Sequence, residues 1–562
     1  MVTEFKWWQQ AVFYQIYPRS FADANGDGIG DFKGMIGKLD HLRDLGIGAI
    51  WLSPHYPSPY IDCGYDISDY VDVAPEYGTL EDFKTFLTEA HARNIRVILD
   101  LVLNHSSDQH PWFQESRSSR DNPKRDWYIW RDGQNGGPPT NWAAIFGGSA
   151  WEYDPATEQY YYHAFLKEQP DLNWRNPEVK AAMWDAVRFW LDMGVDGFRL
   201  DAVATIYEDF DLPNHSYPLS FDEIPDPNSL SPTEYSQLMK YQVKRPGMHE
   251  LLKELRALID QYPGDRVLVG EDEDVTFHGS DDDELHLVFN FPLMRLKRLT
   301  PSDIRANQEL RLSELPDDAW PCNTLNNHDA SRVWTRYGDG EHDAALARLH
   351  AALMLTLKGT PFLYYGEEIG MTNLKLASKD QIRDTAALNL YQRMTQKLGK
   401  SADEALEASL LATRDRCRTP MQWDNSAEGG FSPSGSTTWL PLHPNRTRGV
   451  NVADQLDDPT SMLNFYRRLI QLRQNTPALN TGDYQVVDPD NSSCLVFLRQ
   501  DTKANQTCLV ALNFSEESQS VVLDSEAKSA EVLFSTEDRS GEANLQPNLR
   551  LSPFEVLIAQ LA

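Results

Sequence analysis

Eight short apolar runs recur along the 562-residue chain, and stretches with helical periodicity separate most of them. Between the first two runs, apolar residues of the segment Phe32–Leu45 recur at helical spacing, and a second helix is predicted around Leu80–Ala92. Repeated strand–helix alternation predicts parallel strands, and eight of them suggest an α/β fold of the (β/α)8 TIM-barrel type. An open, doubly wound sheet is the alternative that the pattern alone leaves open. The predicted strands are Ala11–Tyr17, Ala49–Leu52, Val97–Leu103, Gly197–Leu200, Val267–Val269, His286–Phe291, Asn323–Leu325 and Pro361–Tyr365.

Three segments depart from this alternation. Residues 104–174, after the third predicted strand, are rich in Trp, Tyr, Gly, Pro and Asn and predict an inserted irregular domain B. Residues 205–245, rich in Pro and Asp, form a second insertion after the fourth strand. From 483 to 562, short alternating runs predict an antiparallel β-sandwich, domain C, which leaves 1–103 and 175–482 for the barrel, domain A. Because loops after barrel strands lie at the catalytic face, both insertions are expected to shape the substrate site.

The composition excludes several classes of protein. A net charge of −32 argues against nucleic acid, whose phosphates bind Lys and Arg, and against an anionic membrane surface. No run of 18 apolar residues occurs, and the first residues lack the pattern of a signal peptide. The five cysteines are scattered and form no CxxC pair, which predicts a reducing, cytoplasmic location without disulfides. An acidic enzyme with a small neutral substrate fits these data, as a monomer or a homodimer.

Polar side chains follow four of the predicted strands. They are Asp100, Asn104 and His105 after the third, Arg199 and Asp201 at the fourth, Glu271 after the fifth, and His328 and Asp329 after the seventh. The carboxyl ends of parallel barrel strands meet at one face, so these residues are expected to converge. A single Asp after a strand is as often a helix N-cap, but carboxylates at several strand ends favour a shared site.

Paired carboxylates suit the hydrolysis of a glycosidic bond. A retaining enzyme holds two carboxyl groups about 5–5.5 Å apart, so that one attacks the anomeric carbon while the other donates a proton to the leaving oxygen. Arg199 precedes Asp201 by two residues and therefore points to the same side of the strand, where its charge would keep Asp201 ionised. Asp329 would raise the proton affinity of Glu271.

From Phe13 nearly to its C-terminus, the sequence resembles the α-amylase superfamily (glycoside hydrolase family 13), and within it the α-glucosidase and oligo-1,6-glucosidase branch. Four segments are similar to the conserved regions of that superfamily: DLVLNHSS (100–107), GFRLDAV (197–203), GEDED (270–274) and NNHDASR (326–332). Three more resemble a fifth region and segments of the α-glucosidase branch: QPDLNW (169–174), GTPFLYYGEEIGM (359–371) and RTPMQWD (418–424).

The resemblance implies that Asp201 is the nucleophile, Glu271 the general acid/base and Asp329 the transition-state stabiliser. The substrate-binding residues that it implies are Asp62, Tyr65, His105, Phe165, Arg199, His328 and Arg418, with Arg414 as a competing assignment for the last. A pocket closed at the non-reducing end implies a retaining, exo-acting α-glucosidase. Such an enzyme would release single glucose units from short α-glucosides, with maltose-type oligosaccharides as the expected substrates and sucrose as a further candidate.

Three positions depart from the family's pattern. Cys63 stands where relatives often have Asn or Met, a change with no expected effect. Ala202 follows the nucleophile, where relatives that prefer α-1,6 bonds carry Val and those that prefer α-1,4 bonds often carry Thr. The linkage preference therefore stays open, although the absence of Val argues against a strict α-1,6 preference. The acidic run 271–274 is expected to favour the protonated form of Glu271.

A loop after the first strand has the ligand spacing of a Ca²⁺ site. Its candidate oxygen ligands are Asp23, Asn25, Asp27, the Ile29 carbonyl and Asp31. Gly34 stands where an EF-hand has its closing Glu, so a full EF-hand is not expected. α-Glucosidase relatives carry a similar loop with Ca²⁺, which implies a structural Ca²⁺, with Mg²⁺ as a variant. A turn held by Asx hydrogen bonds alone is the alternative.

Two other functions are compatible with the same carboxylates. A trehalose synthase-type isomerase or a sucrose hydrolase would form the same covalent glucosyl-enzyme and differ in what captures it, which the loop 205–245 would influence. A catalytically silent amylase-like binding protein is the remaining alternative. Such relatives typically lose a carboxylate, whereas Asp201, Glu271 and Asp329 are all present here.

Overall fold

The eight predicted strands form one parallel sheet in the computed structural model, which describes residues 5–224, 226–523, 529–537, 539–545 and 548–561. The first strand pairs with both the second and the eighth, and a parallel bridge between Phe289 and Cys322 joins the sixth strand's end to the seventh. The sheet is therefore a closed barrel, as predicted, and not an open doubly wound sheet. The strands are Phe13–Ile16, Ala49–Leu52, Arg96–Leu101, Gly197–Leu200, Val267–Gly270, Leu287–Val288, Cys322–Thr324 and Thr360–Tyr364.

The sixth strand is shorter than the predicted segment His286–Phe291. It ends at Val288 because a short helix, Phe291–Arg295, begins almost at once. The side chain of Asn290 caps this helix by accepting a hydrogen bond from the main-chain nitrogen of Leu293, and a proline occupies the first turn. The local helix start therefore overrides the apolar pattern of the run.

Helices surround the barrel. Leu80–Ala92 begins and ends at the predicted residues, with a capping box at Thr79, whereas the predicted helix 32–45 is broken at Gly37 and Lys38. Among these helices are Phe32–Ile36, Leu39–Leu45, Leu80–Ala92, Pro177–Met193, Met248–Ile259, Pro301–Glu314, Asp343–Thr356 and Met462–Asn475. The others are Trp7–Gln10, Pro111–Ser118, Pro232–Leu238, Phe291–Arg295, Val333–Tyr337, Thr385–Gln396, Ala402–Ala412, Val452–Leu456 and Pro477–Asn480. No helix among the described residues is long and apolar enough to cross a membrane.

The two insertions pack against each other. Residues 104–174 contain a three-stranded antiparallel sheet of Trp130–Arg131, Trp151–Asp154 and Gln159–Tyr162. The indole nitrogen of Trp142 donates to the carbonyl of Pro213 in the second insertion, at 2.7 Å. Apolar side chains of the two segments also share one buried cluster. The insertions therefore form one continuous roof above the carboxyl ends of the strands.

The C-terminal region forms a separate antiparallel layer that begins at Asp483. It contains a six-stranded and a two-stranded sheet. Their strands are Asp483–Val487, Cys494–Asp501, Gln506–Asn513, Gln519–Val521, Ser529–Ser535, Glu542–Asn544, Leu549–Leu551 and Val556–Leu561. The fully buried Arg499 donates hydrogen bonds to the carbonyls of Gly482 and Thr356, which fastens this layer to the helix Asp343–Thr356 of the barrel.

The start of the fourth barrel strand requires glycine. A Cβ on Gly197, whose φ is +151°, would lie 2.1 Å from the carbonyl oxygen of Val267 on the adjacent strand. We expect Gly197→Ala to lower the free energy of unfolding by about 3 kcal/mol, since the strand must shift. Urea-induced unfolding measures this. Gly340→Ala is the control, because φ there is also positive but no atom lies within 4 Å of the place that the added methyl group would take; an equal loss in both variants would contradict the prediction.

Candidate active site

A cavity of about 540 Å³ opens at the carboxyl ends of the barrel strands, below the roof of the two insertions. Seven of the residues singled out in the sequence line it: Asp62, Tyr65, His105, Phe165, Asp201, Glu271 and Asp329. Three others, Arg199, His328 and Arg418, are almost fully buried behind this lining. The barrel therefore brings together side chains from the ends of several strands, with a second set that supports them from behind.

One guanidinium group holds the two central carboxylates. Arg199 Nη1 lies 2.8 Å from Asp201 Oδ1 and 2.6 Å from Asp100 Oδ1, and its Nη2 lies 2.7 Å from Glu271 Oε1. The main-chain nitrogen of Ala202 donates to the other Glu271 oxygen at 2.9 Å. Asp201 and Glu271 bind the same guanidinium, and both side chains line the cavity.

The electrostatics of this pair favour one shared proton. Burial raises the pKa of Glu271, Arg199 opposes that rise, and the negative charge of Asp329 adds to it. Burial also raises the pKa of Asp201, again against the effect of Arg199, and the negative charge of Glu271 adds to it. Two carboxylates bound to one guanidinium cannot both ionise readily, so the pair retains a proton.

Asp329 itself remains ionised. Burial alone would raise its pKa, but His328, Arg414 and Arg418 together hold the pKa of Asp329 well below its usual range. Arg418 Nη2 binds Asp329 Oδ1, and Arg418 Nε donates to the carbonyl of His328 at 2.8 Å. Arg418 thus acts on the cavity through Asp329 and does not line it. Arg414, the competing assignment, lines the cavity next to Asp329.

Arg414 closes one end of the cavity. Its Nη2 lies 2.8 Å from Asp62 Oδ1, and its Nη1 lies 3.3 Å from Asp329 Oδ1. The second Asp62 oxygen accepts from Gln169 Nε2 at 3.1 Å, and the same amide nitrogen lies 2.9 Å from His105 Nε2. Gln169 belongs to the segment QPDLNW, but nothing in the sequence alone assigns it this contact. Asp62, His105 and Arg414 line the cavity, and the buried Gln169 supports the first two from behind.

Asp384 is a second residue that the sequence did not identify. Its carboxylate accepts three hydrogen bonds from Arg414, from the main-chain nitrogen at 2.9 Å, Nε at 3.0 Å and Nη2 at 2.8 Å. It also caps the helix Thr385–Gln396 by accepting from the nitrogen of Ala386. In sequence it looks like an ordinary N-cap residue, and only the fold brings Arg414 to it.

Aromatic rings and the second insertion form the remaining walls. Phe165 packs on His105 with ring centroids 5.2 Å apart, and Phe146 packs on Phe165 at 5.8 Å. The outer part of the cavity is lined by Asp226 and Asn228 of the second insertion, by Phe291, Met294 and Arg295 after the sixth strand, and by Ala386, Ala387, Leu390 and Arg393 of the helix Thr385–Gln396.

The acidic run after Glu271 is not among the main causes of the raised pKa of that residue, contrary to the expectation from the sequence. Lys244 Nζ lies 3.2 Å from Asp272 and 2.9 Å from Asp274, and Arg295 pairs with Glu273. These partners neutralise the run. Burial and Asp329 raise the pKa of Glu271 instead, while Arg199 lowers it.

The loop 23–31 is organised by hydrogen bonds of its own side chains. Asp23 accepts from the main-chain nitrogens of Gly26 and Gly28 and from the hydroxyl of Ser432, and Asp31 accepts from three main-chain nitrogens. Asn25 and Asp27 each accept from a nitrogen two residues further on. In the described ranges, no three His, Cys, Asp or Glu side chains are grouped so that they could hold a metal ion. The loop therefore has the Asx hydrogen bonds expected of a turn that needs no metal ion.

The contacts of Asp384 lead to a prediction about stability. We expect Asp384→Asn to lower the free energy of unfolding by about 2 kcal/mol, because it removes one of three carboxylates that bind the partly buried Arg414. Chemical denaturation measures the loss. Asp380→Asn, an exposed aspartate just before the same helix, is the matched control and should unfold like the unchanged protein. Equal stability of the two variants would show that Arg414 does not depend on Asp384.

The chain is similar to known proteins over its whole length. Residues 15–482 match the family of α-amylase catalytic domains, and residues 484–558 match the C-terminal domain of maltogenic amylase. An oligo-1,6-glucosidase of Parageobacillus thermoglucosidasius is 41% identical over 99% of both chains. A probable α-glucosidase of Rhizobium meliloti is 41% identical over 91% of this chain and 90% of its own.

Solved structures agree with these relatives. A trehalulose synthase variant in complex with Tris superimposes with a TM-score of 0.90 and 40% identity, over 99% of this chain and all of that chain. An isomaltulose synthase variant from Erwinia rhapontici, in complex with its natural substrate sucrose, gives a TM-score of 0.89 at 38% identity over the full length of both chains. The chain therefore belongs to the α-amylase family, as a glycoside hydrolase of the α-glucosidase type.

Proposed function

We propose that the enzyme is a retaining, exo-acting α-glucosidase that releases glucose from the non-reducing end of short α-glucosides, with maltose-type oligosaccharides as substrates. The observation that carries this proposal is the attachment of Asp201 and Glu271 to the single guanidinium of Arg199, at the wall of a cavity. The Asp62–Arg414 ion pair lies in the cavity lining, where its charged groups can bind the hydroxyl groups of a terminal glucose unit, as exo-action requires.

The proposed reaction has two steps. Asp201 attacks the anomeric carbon while Glu271 donates its proton to the glycosidic oxygen, which breaks the bond and leaves glucose covalently attached to Asp201. Glu271, now ionised, accepts a proton from water, and this water attacks the anomeric carbon and releases glucose with its original anomeric configuration. Asp329, ionised next to Arg418 and Arg414, is placed to bind sugar hydroxyls and to stabilise the positive charge of the transition state.

A second candidate is transfer of the glucosyl unit to a sugar. The solved trehalulose and isomaltulose synthases have the same fold over the whole chain, and variants of both were solved with sucrose. Such an enzyme would use the same carboxylates and differ in the outer cavity, where the second insertion supplies Asp226 and Asn228. Oligo-1,6-glucosidases among the relatives make isomaltose a substrate to test beside maltose.

A product assay separates these functions. We expect the purified enzyme to release glucose from maltose, and isomaltose, sucrose and trehalose tested in parallel will rank the linkages. Isomerised disaccharides as the main products would favour transfer instead. Asp201→Asn should abolish turnover. Glu271→Gln should lower kcat/KM, which reports formation of the glucosyl-enzyme, about 10²- to 10⁴-fold on maltose and much less on a nitrophenyl α-glucoside, whose leaving group needs no proton in that step. An equal loss on both substrates would contradict the role of Glu271 as the acid.

We propose in addition that the loop 23–31 binds Ca²⁺, or Mg²⁺ in its place, as a structural ion. Asp23 and Asp31 are 5% and 4% exposed, and among the described residues neither forms an ion pair with a basic side chain. Three aspartates in one loop favour a hard divalent cation, and an oxygen that accepts one hydrogen bond can still coordinate a metal. Main-chain hydrogen bonds from Asp23 to Phe431 and from Trp439 to Gly28 already connect this loop to the segment after the eighth strand. A bound ion would therefore stabilise both segments.

Thermal unfolding tests the calcium proposal. We expect Ca²⁺ to raise Tm by several degrees relative to a chelator, because an ion that binds only the folded state stabilises it by mass action. Asp27→Ala should remove most of this response, while Asp121→Ala, at an exposed aspartate elsewhere in the chain, should keep it. No response in the unchanged enzyme would mean that hydrogen bonds alone hold the loop.

We also propose a cytoplasmic location. All five cysteines are free and buried, which suits a reducing compartment. Fractionation of the source cells, with the glucosidase activity as the marker, tests this, and recovery of the activity outside the cytoplasm would contradict it. Sedimentation velocity would decide between a monomer and a homodimer.

A further inference from the structure

Gln15, in the middle of the first barrel strand, lies directly behind the candidate active site. It is 1% exposed and does not line the cavity. Its amide nitrogen lies 2.9 Å from the hydroxyl oxygen of Ser53 and 2.7 Å from Nδ1 of His328. The side chain of Gln15 thus connects the first strand to the ring of His328, the residue before Asp329.

This contact selects one form of the imidazole. In this orientation of the amide the nitrogen donates, so Nδ1 of His328 accepts and a neutral ring carries its proton on Nε2. The amide oxygen of Gln15 is buried and has no hydrogen-bond partner among the described residues. Nε2 lies 2.8 Å from the Tyr65 hydroxyl oxygen and 3.3 Å from Asp329 Oδ2. Its proton can therefore serve both groups, one of which is a candidate catalytic carboxylate.

The direction of the hydrogen bonds continues beyond the histidine. The Tyr65 hydroxyl, which accepts from Nε2, donates to Asp100 Oδ2 at 3.1 Å, and Arg199 binds the other oxygen of Asp100 at 2.6 Å. With the proton on Nδ1 instead, the Nε2 lone pair would face the carboxylate of Asp329. Tyr65 would also have to turn its proton away from Asp100. The amide nitrogen of Gln15, the first donor in this series of hydrogen bonds, therefore sets the direction of the hydrogen bonds of His328 and Tyr65.

We propose that Gln15 is a positioning residue, which fixes the Nε2–H tautomer of His328 and thereby aligns Tyr65 and Asp329 for catalysis. The inference rests on the proposed glucosidase function for its kinetic consequences. Its structural content, the position of one proton, does not depend on that function.

The groups around His328 favour its neutral form, so the position of its single proton, and not its charge, determines which hydrogen bonds it forms. The charged and titratable groups that face the ring are Asp329, Arg199, Arg414, Arg418, Tyr65 and Tyr17. Burial lowers the pKa of His328 well below its usual value; Asp329 opposes this, and the three arginines lower the pKa further. The lowered pKa of His328 favours the neutral ring, in which one nitrogen is without a proton.

Two variants at position 15 test the proposal by kinetics. Gln15→Met removes the donor, and we expect kcat/KM on maltose to fall about 10- to 100-fold, as for other residues that orient an active-site histidine, with an unchanged pH profile. Gln15→Glu introduces an acceptor that draws a proton to Nδ1 and raises the pKa of His328. At low pH the doubly protonated ring keeps its Nε2 proton and activity. As the pH rises through the raised pKa of His328 in this variant, the ring loses its Nε2 proton and keeps the one on Nδ1. The alkaline limb of the pH profile of kcat/KM should therefore move to lower pH.

A matched variant and a structural measurement complete the test. Gln455→Met also removes a buried amide, one that donates only to the carbonyls of Ile369 and Gly449, and it should leave kcat/KM and its pH profile unchanged. Neutron diffraction of the unchanged enzyme should locate deuterium on Nε2 of His328. Deuterium on Nδ1 would overturn the proposal, as would a Gln15→Met variant as active as Gln455→Met. If the unchanged enzyme cleaves no glucoside, the proposed function fails, and the neutron result still decides the tautomer.

Discussion

The buried guanidinium of Arg199 is the interaction on which the rest of the site depends. It is fully enclosed, and three carboxylates from the ends of neighbouring strands bind it. A charge buried to this degree is tolerated only when it is paired, and each of these carboxylates is in turn tolerated because of the arginine. The closed barrel makes the arrangement possible, since the third, fourth and fifth strands are adjacent and in register. The geometry of the reaction is therefore a consequence of how the strands pair.

Much of the fold and the central carboxylates could be predicted from the sequence. The apolar runs located the strands, and Asp201, Glu271 and Asp329 follow strand ends whose convergence a parallel barrel guarantees. Arg199 could be placed beside Asp201 because side chains alternate along a strand. These predictions rest on short-range periodicity, which the sequence displays directly. The sixth strand was misjudged because a helix cap at Asn290 ended it within a run that still looked apolar.

The supporting residues could not be found in this way. Arg414 and Arg418 lie four residues apart in one basic segment, and only the turn at 414–416 decides which of them enters the cavity. Asp384 and Gln15 act through partners that are 30 and 313 residues away in the chain. The acidic run 271–274 was misleading for the same reason, because its counter-ions, Lys244 and Arg295, come from other segments. Pairing between distant segments is what a single sequence does not display.

The roof over the cavity has a consequence for how new specificities could arise in this scaffold. Its two halves belong to loops that follow different strands, yet Trp142 and Asn141 of one are hydrogen-bonded to Pro213 and His215 of the other. Neither half has a shape that is independent of its partner. If only one of the two insertions were replaced by that of a relative, the indole and amide donors of Trp142 and Asn141 would lose their carbonyl acceptors. Replacement of both insertions together would keep these hydrogen bonds. The two insertions that line the entrance to the cavity must therefore change together, because a substitution in one limits the substitutions that the other tolerates.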